Sequence, residues 1–279
     1  MGKEEKKIGP DVGDASLLDA SADTGLLIHV DEFYAAHPIQ GADVSCGENV
    51  FESPRVQVSV VTNQGPLIGL HYHATSDEIV YVHKGEGEMY VGGKWVPVKA
   101  GDIHVNPRGV VHATRITGSK PMEVIGFFSA APENGNDKVF LPEFDGKVVG
   151  AKTLLDANVQ EGLLIHLPEF YASHPRPVDA GARSDSVYKS PRAELFIGEN
   201  HGPLLNRHYH AACEEIVFVY GGSGEMYIGG EWVPVKAGDL HINPRGVYHT
   251  ARCVGKDMQV VCLFTPPQAN GDDKVFINE

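Results

Sequence analysis

The chain is written twice. LLDA at 17–20 returns at 154–157, and GLLIHVDEFYAAHP at 25–38 returns as GLLIHLPEFYASHP at 162–175. GEMYVGGKWVPVKAGDIHVNPRGVVH at 87–112 returns as GEMYIGGEWVPVKAGDLHINPRGVYH at 224–249. The offset is 137 residues from Leu17 to Arg115 without a gap, and 54 of those 99 positions are identical. One residue is then lost in the second copy, and the offset becomes 136 through Lys138 and Lys274. A unit this long is a whole domain rather than a solenoid repeat. The 279 residues thus divide into an arm at 1–16, one domain at 17–143 and a second at 154–279, with the joint near FDGKVVGAK (144–152). Either domain is long enough to bury its own core. The duplication builds a pseudo-dimer inside one chain, on which further homo-oligomers can be assembled.

Within a copy the pattern is that of strands. DEFYAAH and PEFYASH predict a short helix stopped by Pro38 or Pro175. VQVSVVT (56–62) alternates and is rich in β-branched residues, and LIGLHYH (67–73) and EIVYVHKG (78–85) follow it. EMYV-GG-KWVPV (88–98) reads as a hairpin, because Gly92-Gly93 suits a turn with positive φ. DIHV, VVHATRI and MEVIGFF complete the copy. The 32 glycines and 18 prolines are well above average usage and match many tight turns. Seven or eight short strands per copy predict an all-β fold, an antiparallel sandwich or small barrel whose interior can hold one small ligand.

The charge balance narrows the partners. With 23 basic residues against 37 acidic, the net charge is -14. A binder of phosphate backbones or anionic membranes needs a basic face, so neither nucleic acid nor a membrane surface is expected. No apolar run approaches the length of a bilayer span. The start, MGKEEKKIGPDVGDAS, lacks the apolar stretch of a secretory signal and reads as a solvated arm. The four cysteines show no CxxC spacing, so a reduced, cytoplasmic setting is expected, although Cys253 and Cys262 could face each other across a hairpin.

The chemistry sits in HYH. Residues i and i+2 of a strand share a face, so His71 and His73 project together while Tyr72 points away. Glu78 follows the ATSD turn and His112 follows the NPRGVV turn. The second copy supplies His208, His210, Glu215 and His249 at the same spacing. Three imidazoles and a carboxylate suit Fe, Mn, Ni, Co or Zn and are a poor match for Ca or Mg. Four ligands on an octahedral ion leave two positions for substrate or dioxygen, which distinguishes a catalytic from a structural site.

These residues resemble the cupin superfamily. Its first motif, G-x(5)-H-x-H-x(4)-E-x(6)-G, runs here from Gly65-Pro66 through His71, His73 and Glu78 to Gly85, and again through Gly202, His208, His210, Glu215 and Gly222. Its second, G-x(5)-P-x-G-x(2)-H, matches Gly101, Pro107, Gly109 and His112, and then Gly238, Pro244, Gly246 and His249. The resemblance implies two tandem cupin barrels (double-stranded β-helix, or jelly roll), with two complete sites for a divalent transition metal in each chain. The reaction is left open, because cupins include dioxygenases, decarboxylases, isomerases, dehydratases, hydrolases and storage proteins. Oxalate decarboxylases and oxidases are disfavoured: the arginine they carry three residues before the first ligand histidine is Ile68 or Leu205 here. Seed storage relatives usually lack intact ligands, whereas all eight are present.

Other residues are candidates around these sites. His104 and His241 lie on the strand beside the ligands and could serve as a catalytic base or orient a ligand ring. Arg108 and Arg245, in the NPRG turn, could clamp a substrate carboxylate or simply be solvated. Gly69 and Asn206, two residues before the first ligand, should border the pocket and give its two versions different room. Gln57/Glu194, Ser59/Phe196 and Thr114/Ala251 differ likewise, so the two sites should accept different molecules unless only one is active. His29/His166 and His37/His174 read as core or capping residues. The expected function is a metal-dependent oxidoreductase, of dioxygenase type, acting on a small oxygenated organic molecule. The alternatives are a redox-neutral isomerase, dehydratase or decarboxylase at the same kind of site, and a non-enzymatic metal- or ligand-binding bicupin.

Overall fold

A computed structural model describes residues 11–19, 23–65, 68–132, 136–141, 151, 153–156, 161–202, 206–254 and 257–277. The expected joint at 144–150, most of the arm (1–10), Pro66 and Leu205 lie outside the described residues.

The first repeat runs β1 (Leu26–His29), α1 (Val30–Ala36), β2 (Ser45–Glu52), β3 (Gln57–Asn63), β4 (Ile68–His73), β5 (Asp77–Lys84), β6 (Glu86–Val91), β7 (Lys94–Lys99), β8 (Asp102–Asn106), β9 (His112–Ile116), β10 (Met122–Ser129) and β11 (Lys138–Phe140). The second repeats this order as β12 (Leu163–His166), α2 (Leu167–Ser173), β13 (Ala182–Lys189), β14 (Glu194–Asn200), β15 (His208–His210), β16 (Glu214–Gly221), β17 (Ser223–Ile228), β18 (Glu231–Lys236), β19 (Asp239–Asn243), β20 (Ala251–Cys253), β21 (Met258–Thr265) and β22 (Lys274–Phe276). The chain belongs to the expected all-β class. Each copy has eleven strands rather than the expected seven or eight: β1, β2 and β11, and likewise β12, β13 and β22, are additional, and β2 and β13 are polar stretches in which only Phe51 and Tyr188 are buried.

In the first barrel one sheet has the order β12-β8-β5-β10-β3-β2 and the other β11-β4-β9-β6-β7. In the second, β1-β19-β16-β21-β14-β13 forms the large sheet, accompanied by β18-β17-β20 and the pair β15-β22. The inward faces alternate as the pleat requires. Val82, Met89, Val98, Met122 and Val124 pack at one end of the first barrel, and Val217, Val219, Met226, Val235, Met258 and Val260 do so in the second. Cross-strand register stacks the interior in rows. Gln57, Phe128, Glu78 and Asn106 lie side by side across β3, β10, β5 and β8, and Ser59, Gly126, Val80 and His104 form the next row. The second barrel has Glu194, Phe264, Glu215 and Asn243, then Phe196, Cys262, Val217 and His241.

Two turns show why the motif glycines are glycines. Gly92 and Gly93 adopt φ of 54° and 83° and close the β6–β7 hairpin as expected. Gly109 has a φ of 80°, and a Cβ there would lie 2.9 Å from the Leu154 Cβ.

The compact units are not contiguous halves. One comprises residues up to His29 with Arg176–Lys189 and everything from Glu194; the other comprises Val30–Pro175 with Ser190–Ala193. The boundaries 17–143 and 154–279 therefore mark the duplication rather than the packing units. The cause is strand pairing: β1 of the first repeat adds to β19, from Leu26 opposite Ile242 to His29 opposite Asp239. In the same way β12 adds to β8. The duplicated histidines lock these pairings. His29 Nδ1 is 2.9 Å from Asp239 Oδ1, and His166 Nδ1 is 2.8 Å from Asp102 Oδ1. His37 and His174 instead cap the short helices, donating to Phe33 and Phe170 carbonyls at 2.8 and 3.0 Å.

Two expectations are corrected. Residues 11–16 are not a solvated arm: Asp11 is buried, accepts from the Tyr248 and Gly229 backbone N–H groups, and Val12 bridges Val247. Cys253 and Cys262 form no disulfide; all four cysteines are free, and Cys253 donates to the Asn200 carbonyl at 3.1 Å while β20 pairs with β17 rather than β21. No helix among the described residues is long and apolar enough to cross a membrane.

Asp102 accepts from His166 and, at 2.9 Å, from the Lys99 backbone N–H, with no exposed surface. An Asp102→Ala variant leaves both donors without that acceptor. It should lose about 2 kcal/mol of stability, read as a lower urea midpoint than wild type.

Candidate metal centres

The first centre is assembled from one strand and the first residues of two others. His71 and His73 project from β4 into the barrel, 2% and 1% exposed. His112 begins β9 directly opposite His71, and Glu78 is the second residue of β5. The His71, His73 and His112 ring nitrogens lie within 4.8 Å of one another, as do those of His208, His210 and His249.

Every ligand ring is oriented through its outer nitrogen. His71 Nδ1–H donates to the Gly69 carbonyl at 2.7 Å and His112 Nδ1–H to the Val110 carbonyl at 2.9 Å. His73 Nδ1 lies 2.5 Å from Asp137 Oδ1. A carbonyl only accepts, so these rings carry their proton on Nδ1 and turn an Nε2 lone pair inward. The Nε2 atoms of His71, His73 and His112 are buried with no hydrogen-bond donor facing them. His112 Nε2 stands 3.0 Å from Glu78 Oε2, an acceptor against an acceptor. The second centre repeats this: His208 donates to Asn206 O at 3.0 Å, His249 to Val247 O at 2.9 Å, and His210 Nδ1 meets Asp273 Oδ1 at 2.6 Å. His249 Nε2 is again 3.0 Å from the carboxylate, Glu215 Oε2. Converging lone pairs with no proton between them fit a cation, and the nitrogen-rich donor set fits a divalent transition metal.

Electrostatics keeps the ligands in metal-ready form. Burial, helped by the neighbouring His112, pushes His71 down to about 3. Burial and His249 push His208 to about 4. Burial alone would raise Glu78, but the imidazoles of His112, His73 and His71 outweigh it and hold the carboxyl well below its usual range. The Glu215 carboxyl is lowered against burial in the same way by His249, His210 and His208.

The supporting residues were not evident from the motifs. Asn106 Nδ2 donates to Glu78 Oε2 at 2.7 Å, and Asn243 to Glu215 Oε2 at 3.0 Å. Asp137 holds His73 and also accepts from the backbone and hydroxyl groups of Thr75 and Ser76, fixing the turn between the ligand strands. Asp273 receives Ala212 N and the Cys213 thiol in the second copy. Phe140 and Phe276 lie 5.3 and 5.5 Å from the first ligand ring, His71 or His208. Their signal was the duplicated DKVF of 137–140 and 273–276.

The remaining candidates are placed as follows. His104 and His241 are buried, 1% and 2% exposed, and burial with the nearby His112 or His249 pushes each to about 3. His241 lines the second cavity. Arg108 and Arg245 grip chain segments: Arg108 Nε donates to Leu154 O and pairs with Asp156, and Arg245 Nε donates to Leu17 O. Neither is among the residues found lining the cavities, because the NPRG turn is braced by those segments. Gly69 and Asn206 act through the carbonyls that orient His71 and His208, and a Cβ at Gly69 would meet the Phe140 ring at 3.7 Å. Beside the centres lie cavities of about 560 Å³ and 420 Å³, bordered by His73 and Glu78 and by His208, Glu215 and His249.

The cupin domain family model matches residues 58–128 and 195–265, half of the chain, with one complete match in each repeat. The chain belongs to the cupin family. An oxalate-binding protein of Thermotoga maritima is 39% identical over 61 residues, which are 22% of this chain and half of that protein. An uncharacterized protein of Aquifex aeolicus is 31% identical over 99 residues, 34% of this chain and 68% of its own. Among solved structures, a cupin 2 conserved barrel domain protein from Leptotrichia buccalis superposes with a TM-score of 0.63 at 12% identity, over 88% of this chain and 98% of that one. A salicylate 1,2-dioxygenase from Pseudaminobacter salicylatoxidans superposes with a TM-score of 0.67 at 13% identity, over 90% and 87%. At such identities the likeness is one of fold: this cupin chain is a bicupin, with a three-histidine group in each barrel.

Three outcomes follow for the centres. His71→Ala and His208→Ala should each remove about half of the metal bound by the purified chain, measured by elemental analysis. Asp137→Ala should weaken metal binding at the first centre by about 10- to 100-fold in chelator competition, with the second unchanged. In the metal-free chain, the unfolded imidazoles of His71, His104, His208 and His241 take protons near 6.5 while the folded ones wait until about 3 to 4. The unfolded state thus binds more protons across that window, so thermal stability should fall as pH drops from 6.5 towards 4 and recover on return.

Proposed function

We propose that this bicupin is a metal-dependent oxidoreductase of dioxygenase type, acting on a small oxygenated organic molecule. The observation that carries the reading is the pairing of each three-histidine, one-glutamate set with a cavity of a size suited to a small molecule. The solved fold neighbour titled salicylate 1,2-dioxygenase, also solved with gentisate, supports small-molecule chemistry on this scaffold. When bound by His71, His73, Glu78 and His112, or by His208, His210, Glu215 and His249, a divalent transition metal supplies Lewis acidity and positions for substrate and dioxygen.

The protein's own share is orientation and protection. The Gly69 and Val110 carbonyls and Asp137 fix the three ring planes before any ligand arrives. Asn106 holds Glu78 by one oxygen. Phe128 and Phe264 pack 5.3 Å from the second ligand ring, His73 or His210, and exclude water on that side. His241, neutral and bordering the cavity, is placed to accept a proton from a bound ligand. His104 has the matching strand position in the first barrel but is not among the residues lining its cavity. That neutral base is also what favours the second reading, a redox-neutral isomerase, dehydratase or decarboxylase. A third, non-enzymatic ligand binding, draws on the relative named as oxalate-binding.

Oxygen consumption decides among them. With a panel of small hydroxy- and oxo-acids and phenolic acids, the metal-loaded chain should consume dioxygen in proportion to product. Full turnover under strict anaerobiosis would refute the dioxygenase reading in favour of the redox-neutral one. Metal-dependent binding with no turnover in either atmosphere would establish a binding protein.

A further inference from the structure

The two barrels keep three members of one interior row, differ in its fourth, Gln57 or Glu194, and differ again in the next row. Around the ligand carboxylate, the rows carry Phe128 and Asn106 beside Glu78, and Phe264 and Asn243 beside Glu215. One step deeper, the first barrel has Ser59 and Gly126 where the second has Phe196 and Cys262. The first cavity is correspondingly larger, about 560 Å³ against 420 Å³.

Its polar groups are arranged to read a ligand. Gln57, 5% exposed, lines the first cavity in the same row as Glu78. Its Nε2 is turned 3.4 Å towards Ser59 Oγ, whose own proton goes to Asn49 Oδ1 at 2.7 Å. This chain of donors leaves Gln57 Oε1 buried with no donor facing it. A buried amide oxygen in that condition costs stability unless a donor arrives. The equivalent in the second barrel, Glu194, is already saturated by Ser186 at 2.9 Å and Lys189 at 2.7 Å. There one side of the wall is apolar: Phe196 packs edge-to-face on Phe264 at 5.6 Å, with Met226 and Met258 also bordering the cavity, while Arg183 and Lys274 line it elsewhere.

We propose that the two centres take ligands of different class. The first takes a compact, hydroxylated molecule that donates a hydrogen bond to Gln57 Oε1 beyond its metal-facing end. The second takes a molecule with a flat apolar body lying against Phe196 and Phe264. The proposal rests on the reading of both centres as metal-bearing ligand sites.

Two 2-hydroxy acids with the same chelating end test it: glycerate, which adds a hydroxyl, and mandelate, which adds a phenyl ring. Calorimetric titration of the full metal-loaded chain should find one site preferring each. His208→Ala/His210→Ala should leave a site that binds glycerate at least about tenfold tighter than mandelate, and His71→Ala/His73→Ala should leave the reverse. Gln57→Leu should weaken glycerate by about tenfold without altering metal content. Should a ligand-deleted variant fail to fold, Ser59→Phe/Gly126→Cys in the otherwise intact chain should abolish the glycerate-preferring site and raise mandelate stoichiometry from one to two. The same preference at both centres, or no effect of Gln57→Leu, would overturn the proposal and leave the ligand-site reading standing. Binding of neither acid by the metal-loaded chain would overturn both.

Discussion

Six imidazole nitrogens converge in two groups of three, each beside a carboxylate, and five of the six are buried with no donor facing them. That mutual exposure of acceptors is the constraint on which the rest of each barrel depends. Buried lone pairs 3.0 Å from a carboxylate oxygen, as at His112 and Glu78, are unfavourable in the absence of a cation or a shared proton. The surrounding bonds oppose the easy remedy of rotating away. Each Nδ1 is tied to a carbonyl or to Asp137 or Asp273, and each glutamate is held by an asparagine. A metal therefore arrives at rings already set in tautomer and plane. The same order makes the centres sensitive to proton concentration, because burial keeps His71 and His208 neutral well below the ordinary imidazole range.

The geometry of the strands produces this convergence cheaply in sequence terms. Two ligands come from alternate residues of one strand, one from the start of the next, and one from the start of β9, just after a turn containing proline and glycine. That is why so much of the centre was legible: the period of a strand places His71 with His73, and the repeat shows the set twice. The all-β class was legible from alternation and turn residues for the same reason. Less was legible where side chains act through the backbone or through residues distant in sequence. Asp137 is sixty-four positions from His73 in the chain, and no local pattern links them. Gly69 was expected as pocket wall, yet its carbonyl does the orienting, which any residue could supply.

The exchange of leading strands was also invisible to a reading by repeats. Alignment marks where a copied segment begins and ends, whereas packing depends on which edge a strand completes. LLIH is the same in both copies, so identity offers no reason for β1 to favour β8 over β19. The His29–Asp239 and His166–Asp102 pairs then serve the exchanged arrangement. This is what a histidine duplicated with its surroundings was signalling.

Duplication followed by drift leaves its trace in depth. The row holding the carboxylate ligand keeps its phenylalanine, glutamate and asparagine in both barrels, because each touches a ligand ring or the ligand itself. One row deeper, nothing touches the metal set directly on β3 or β10, and there Ser59 has become Phe196 and Gly126 has become Cys262. Had one barrel been reduced to a scaffold, its ligand row would be as free to drift as its wall. All four ligands and their supporting asparagine and aspartate instead remain in each. Retained ligands beside changes at Gln57/Glu194, Ser59/Phe196 and Gly126/Cys262 are the pattern the proposed pair of sites for different molecules would leave.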